Sequence, residues 1–175
     1  MRSDQVRLNN GITIPLLGMG TYSFENDRKS TENAVHLALK HFDTVHIYGS
    51  EAALGNALND AISDGVVSRD ELFVTSKLWG SHYQDPVQPY KTLSKYSDMY
   101  LVHWPVKLKP WVNDPLPKED EFEPLRLDLT WTGMERCLEL GLCRGIGVSN
   151  FSCKKIQDLL GFASVPPAVN QGFVS

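Results

Sequence analysis

Cysteine is scarce in this chain: three among 175 residues, Cys137, Cys143 and Cys153, with neither an even count nor C-x-x-C spacing. That argues against a disulfide framework or a zinc knuckle, and no metal site is expected. The three read as reduced thiols, with Cys137 as filler on an apolar helix face. Basic runs are also missing, since nothing exceeds Lys154-Lys155, and the formal net charge is -4 with a pI near 5.7. This disfavours a nucleic-acid or anionic-membrane partner and leaves small-molecule ligands open. No apolar run approaches the ~18 residues that cross a bilayer, and the start, "MRSDQVRLNN", lacks the apolar stretch of a signal peptide. A cytoplasmic location is expected. A complete dinucleotide fingerprint is absent too: "GMGTYS" and "GIGVSN" each lack the third glycine and the acidic residue ~20 positions later.

What remains is an ordinary globular balance, 42% hydrophobic and 22% charged, enough for one sizeable core in one domain over 1–175. Short apolar runs, "IPLLGMGTY", "HFDTVHIY", "ELFVTSKLW", "DMYLVHWP", "CRGIGVSN" and "PPAVNQ", alternate with segments of helical period. The alternation predicts βα units around a parallel sheet. "STENAVHLALK" places Val35, Ala38 and Leu39 on one face, with Ser30 or Thr31 as N-cap. The three later helical segments end on Gly65, Gly141 and Gly161, where C-caps belong. "DPVQPYKTLSKYSD" makes a poorer helix because Pro89 falls early in it. Ahead of these units, Asn10-Gly11 between two β-prone runs predicts a hairpin able to plug one end of a barrel. The proline-rich, charged stretch over 105–130 is too long for a connector and is expected to be a substrate-side loop. Its "KEDEFE" reads as a solvated acidic surface.

Polar residues fall at the carboxyl ends of the apolar runs: Asp43 and Tyr48, then Lys77, His103, Ser149-Asn150 and Asn170-Gln171. Polar groups converging from successive parallel strands are how a (β/α) barrel builds an active site. Taken singly, Lys77 reads as a surface charge, His103 as a core histidine, Asp43 as a turn cap and Tyr48 as a wedge between helices. Four such residues at matching topological points favour a site.

At these residues the chain resembles the aldo-keto reductase family, through "FDT..IYGSEAALG", "TSKLW", "LVHWP" and "RGIGVSNF", in order, from Val6 to Gln171. "VHWPVKLKP" and "PKEDEFEPL" resemble plant reductases of specialised metabolism, such as those acting on codeinone, methylecgonone or polyketides. The resemblance implies a (β/α)8 TIM-type barrel and NADPH-dependent reduction of an aldehyde or ketone. It implies Tyr48 as proton donor, Lys77 and Asp43 as its supporting ion pair, and His103 as the donor that orients the carbonyl oxygen. A free tyrosine has a pKa of about 10, which a lysine cation alongside lowers; a carboxylate partner would keep that lysine charged. By the same resemblance Gly20, Thr21, Tyr22, Asp43, Ser149, Asn150 and Gln171 would line the cofactor. Tyr22, His103 and the aromatic walls Trp79 and Trp104 would form the substrate pocket, core packing being the other reading of the two tryptophans. His46 reads as packing or pocket rim.

The chain departs from the family pattern in three ways. Lys40 runs straight into His41 without a "GYR"-like link, so the first helix is expected to end early or the second strand to shift. The third helix is about six residues short. The sequence stops at "VNQGFVS", just after a sixth strand, where the family continues to eight; we expect a truncated barrel whose open edges invite self-association, a complete form being monomeric. A catalytically silent remnant or partner-binding protein is the alternative. A Rossmann dehydrogenase is disfavoured by the incomplete glycine fingerprint.

Overall fold

The structure, a computed structural model, describes residues 5–22, 33, 40–89 and 97–172. Its first element is the expected hairpin, β1 (Gln5–Arg7) antiparallel to β2 (Thr13–Pro15), with Val6 opposite Ile14. The turn needs a left-handed residue, and Gly11 supplies it at φ +86°. Leu8, Ile12 and Ile14 of the hairpin pack on Phe73, Met99 and Leu101, so it plugs the sheet from one end. Gly145 permits that approach: a Cβ there would meet Asn10 Nδ2 at 2.8 Å.

Six parallel strands form the central sheet: β3 (Met19–Gly20), β4 (His41–Asp43), β5 (Phe73–Leu78), β6 (Met99–Val102), β9 (Gly145–Ser149) and β10 (Asn170–Gln171). Each pairs with the next in that order, leaving β3 and β10 as the outer strands. Sequential parallel neighbours require crossovers on one face, which is the winding of a (β/α) barrel. Helices α1 (Glu51–Ser63), α2 (Leu127–Glu139) and α3 (Cys153–Leu160) supply those between β4 and β5, β6 and β9, and β9 and β10. Leu54, Leu58 and Ala61 of α1 cover Phe42 and Val74. Trp131, Met134 and Cys137 of α2, with Leu159 of α3, cover Tyr100, Val102, Ile146 and Val148. Cys137 is therefore core filler, its thiol pushed up to about 12 by burial and by the charge of Asp85. The amphipathic segment with Val35, Ala38 and Leu39 lies outside the described residues, as does most of the segment containing Pro89.

All three helices end at the expected glycines, in two different conformations. Gly65 (φ +71°) and Gly141 (φ +67°) are left-handed, whereas Gly161 stays right-handed at φ -69°. There the chain tightens instead, with the Phe162 N–H donating to Leu159 at 3.2 Å, so no left-handed residue is required. Strand β4 is also shorter than "HFDTVHIY" promised. After Asp43 the chain leaves the sheet and forms a 3₁₀ turn over His46–Tyr48, closed by Gly49 at φ +65°. The segment before β4, where the "GYR"-like link is absent, lies outside the described residues; in β4 itself His41 stands opposite Phe73 and Asp43 opposite Thr75. The 105–130 stretch contains a two-stranded antiparallel ladder, β7 (Lys107–Leu108) with β8 (Phe122–Glu123). A Lys107–Glu123 ion pair at 2.9 Å spans it.

Candidate active site

The carboxyl ends of β4 and β5 bring Asp43 and Lys77 together as a direct ion pair, with the lysine side chain 5% exposed. Gln171, at the end of β10, donates from Nε2 to the other Asp43 oxygen at 2.6 Å. One carboxylate thus joins the second strand of the sheet, its neighbour, and the far outer strand.

Tyr48 reaches the same mouth from its 3₁₀ turn. Its ring meets Tyr22 edge-on at 4.8 Å and faces the His103 ring at 6.3 Å. Lys77 does not lower the Tyr48 pKa as the sequence reading supposed. Burial raises it, and Asp43 and then Tyr22 add to the rise, because the lysine cation is spent on Asp43. His103, just beyond β6, is pushed down to about 4 by burial and by Lys77, against the pull of Asp43. At neutral pH it is an uncharged imidazole with one N–H to give, and its buried Nδ1 has no hydrogen-bond partner among the described residues.

The expected cofactor residues fall on the same rim. Gly20 ends β3, and among the described residues a Cβ there would meet nothing within 4 Å. Thr21 is buried, its N–H donating to Asp43 O at 2.9 Å and its hydroxyl bonded to Ser50 at 2.8 Å. Asn150 has φ +62°, a left-handed conformation that asparagine tolerates, and its Nδ2 donates to His103 O at 3.1 Å and Ser149 Oγ at 2.9 Å. The amide nitrogens of Asn150 and Gln171 are therefore already engaged within the protein.

Trp79 and Trp104 both border a cavity of about 210 Å³ with Leu108, Pro115, Pro117 and Phe122, so the β7–β8 ladder supplies its far wall. Trp79 is buried and anchored by Nε1 on Val112 O at 3.2 Å, while Trp104 is 44% exposed. His46 turns away from the mouth, toward Glu51 at 3.4 Å and the His82 ring at 5.7 Å.

Two contributors escaped the sequence reading. Ser50 bonds both Thr21 and Thr44 (3.3 Å), tying β3 to the turn after β4. The Tyr83 hydroxyl accepts from Trp104 N at 3.1 Å and donates to Trp104 O at 2.5 Å, fixing the segment after His103. Serine and tyrosine in loops carry no periodic signal, so only the fold reveals either.

The family model described as "Aldo/keto reductase family" matches residues 16–175, and the chain belongs to that family. Among curated relatives, an aldo/keto reductase of Synechocystis is 45% identical over 94% of this chain and 54% of its own length. The NADPH-dependent codeinone reductase 1-2 of Papaver somniferum is 45% identical over 95% of this chain and 56% of its own. The chain spans about half the length of the curated relatives it matches. Among solved structures, an aldo-keto reductase of Bombyx mori in complex with NADP superposes with a TM-score of 0.86 at 31% identity, covering 99% of this chain and 59% of that one. The aldose reductase of Schistosoma japonicum gives 0.88 at 30% identity, covering 97% and 60%. These neighbours identify the sheet as part of a (β/α)8 barrel. Among the described residues no helix is long and apolar enough to cross a membrane.

Proposed function

We propose that this chain carries the chemical centre of an NADPH-dependent carbonyl reductase that converts an aldehyde or ketone to an alcohol. The observation that carries the reading is the buried Asp43–Lys77 pair flanked by Tyr48 and a neutral His103 at the ends of neighbouring parallel strands. Reduction puts negative charge on the carbonyl oxygen, so the site must supply a proton and a hydrogen-bond donor together. Tyr48, held protonated by its raised pKa, gives the proton. His103 donates its N–H to the same oxygen. Lys77, held by Asp43 in this structure, would have to share its charge with Tyr48 to stabilise the phenolate as it forms.

The residues present fit the nicotinamide end of NADPH. Ser149, Asn150 and Gln171 offer the hydroxyl and amide groups that a carboxamide needs, with Gly20, Thr21 and Tyr22 along the edge. Gln171 would exchange its bond to Asp43 for the cofactor's amide. NADPH, when bound, supplies the hydride. The aromatic cavity beside Trp79 and Trp104 takes the apolar part of a substrate, of the kind that plant reductases of specialised metabolism handle. A cytoplasmic location and a single domain belong to the same proposal.

A catalytically silent, partner-binding role draws on one observation, the raised Tyr48 pKa together with the engaged amides of Asn150 and Gln171. Titration of the 175-residue chain with NADPH, followed by cofactor fluorescence and unfolding temperature, separates the two. A saturable shift, then carbonyl turnover lost in Tyr48→Phe, is the expected result. A folded chain that gives no shift overturns the reductase reading.

A further inference from the structure

A larger cavity, of about 610 Å³, lies against α1 and the outward side of β5, apart from the Asp43–Lys77 mouth. Its volume falls in the ~300–1,000 Å³ range of sites that enclose small molecules. Leu54, Gly55 and Leu58 of α1 with Val74 of β5 make its wall apolar. Its polar side chains gather around one residue, Glu51. Ser76 Oγ donates to Glu51 Oε1 at 3.2 Å, and His46 Nδ1 lies 3.4 Å from Oε2.

Three features mark this end as built for a donor. Among the described lining residues Glu51 is the only acid, and none is lysine or arginine. Burial raises the Glu51 pKa and the contacts with His46 and Ser76 only partly oppose it, so an arriving cation would relieve a strained carboxylate. His82, also in the lining, is held below the ordinary histidine value by burial and by His46, so it brings no competing cation to Glu51. The wall itself leaves room. Gly55 sits inside a helix, where glycine costs up to about 1 kcal/mol relative to alanine, yet among the described residues a Cβ there would meet nothing within 4 Å.

We propose that this cavity binds a small molecule with an apolar ring body and a protonated primary amine, the body along Leu54, Gly55 and Leu58 and the ammonium on Glu51. An ammonium brings three donors, and a charge-assisted bond to a carboxylate oxygen is stronger than one between neutral groups.

The test is calorimetric titration of the full chain with 2-naphthylmethylamine, 2-naphthylmethanol and 2-naphthoate. One amine per chain is expected to bind, the alcohol at least about tenfold more weakly and the carboxylate not at all. Glu51→Gln should bring the amine down to the alcohol's affinity without weakening the alcohol. Gly55→Phe should abolish amine binding by filling the wall, and Gly55→Ala should retain it. No amine binding by the folded chain overturns the proposal, as does an alcohol that binds as tightly as the amine, or any preference for the carboxylate. Unchanged amine affinity in folded Gly55→Phe also overturns it, since the probe would then sit elsewhere, such as beside Trp79 and Phe122. If Gly55→Phe proves unfolded by circular dichroism, the Glu51→Gln comparison decides: loss for the amine alone supports the site, and equal loss or none overturns it.

Discussion

Asp43 accepts from Lys77 on one oxygen and from Gln171 on the other, in a setting where the lysine side chain is 5% exposed and the aspartate 19%. Removing one partner of such a pair strands a buried charge, whereas removing both can be nearly neutral. Lys77→Met is therefore expected to cost about 3 kcal/mol in urea unfolding, and Lys77→Met with Asp43→Leu to recover most of it. A single variant as stable as the parent would mean the pair does not hold the barrel mouth. The histidines set a pH dependence. His103 lies at about 4, and His41 and His82 are also lowered, chiefly by burial. On unfolding they return toward 6.5, so the unfolded chain binds protons that the folded chain refuses. Their contribution is full above pH 6.5 and shrinks as the pH falls toward 4. Glu51, raised by burial, works the other way, contributing below 4.5 and losing that as the pH rises. The urea midpoint should fall between pH 7 and 4.5, and His103→Gln should flatten the fall. A flat parent profile would count against these shifts. Asp43, Lys77 and His103 were legible in the sequence because each ends an apolar run. The direction of the Tyr48 shift was not, since it depends on where the lysine cation points.

Helix α1 and helix α2 each carry an interior glycine, and the two should respond oppositely to the same change. At Gly55 a methyl group enters open space; at Gly133 it would meet Pro86 Cδ at 2.5 Å. Gly55→Ala should raise stability by roughly 0.5–1 kcal/mol, the propensity gain alone. Gly133→Ala should lower it, because a proline ring cannot yield cheaply. Thermal unfolding of both variants checks the pair, and a drop for Gly55→Ala would contradict the open wall. At this scale the sequence told where helices and strands occur, since Gly65 and Gly141 punctuate periodic segments. It misplaced the exit from β4. "HFDTVHIY" has the apolar content of one strand, yet only three residues pair, and the backbone of Thr44 makes its last bond to Thr75 O at 2.9 Å before the turn. The β7–β8 ladder was hidden for a related reason: two-residue strands leave no alternation to read.

The order of the parallel sheet was legible at the level of the whole molecule, because repeated βα units admit few windings. What the sheet leaves open was legible only as an expectation of unpaired edges. Strands β3 and β10 are the outer strands, and Leu16 and Leu17, just before β3, are 67% and 71% exposed. Unpaired edges beside apolar surface favour association. Sedimentation of the chain should show a mass that rises with concentration, and Leu16→Lys with Leu17→Lys should suppress the rise. A single mass at every concentration would show the short edges to be harmless. The bond from Gln171 to Asp43 closes a sequence separation of 128 residues, while the Asp43–Lys77 pair closes only 34. Chains grow from the amino end at roughly 5–20 residues per second, so the ion pair has its partners seconds before the glutamine is made. Inheritance runs along the same arrow. A stop codon arising anywhere between His103 and Ser149 would spare every group proposed for proton transfer and delete Ser149, Asn150 and Gln171, proposed here to hold the nicotinamide, so a gene of this design decaying from its far end would lose the proposed coenzyme grip before the proposed chemistry.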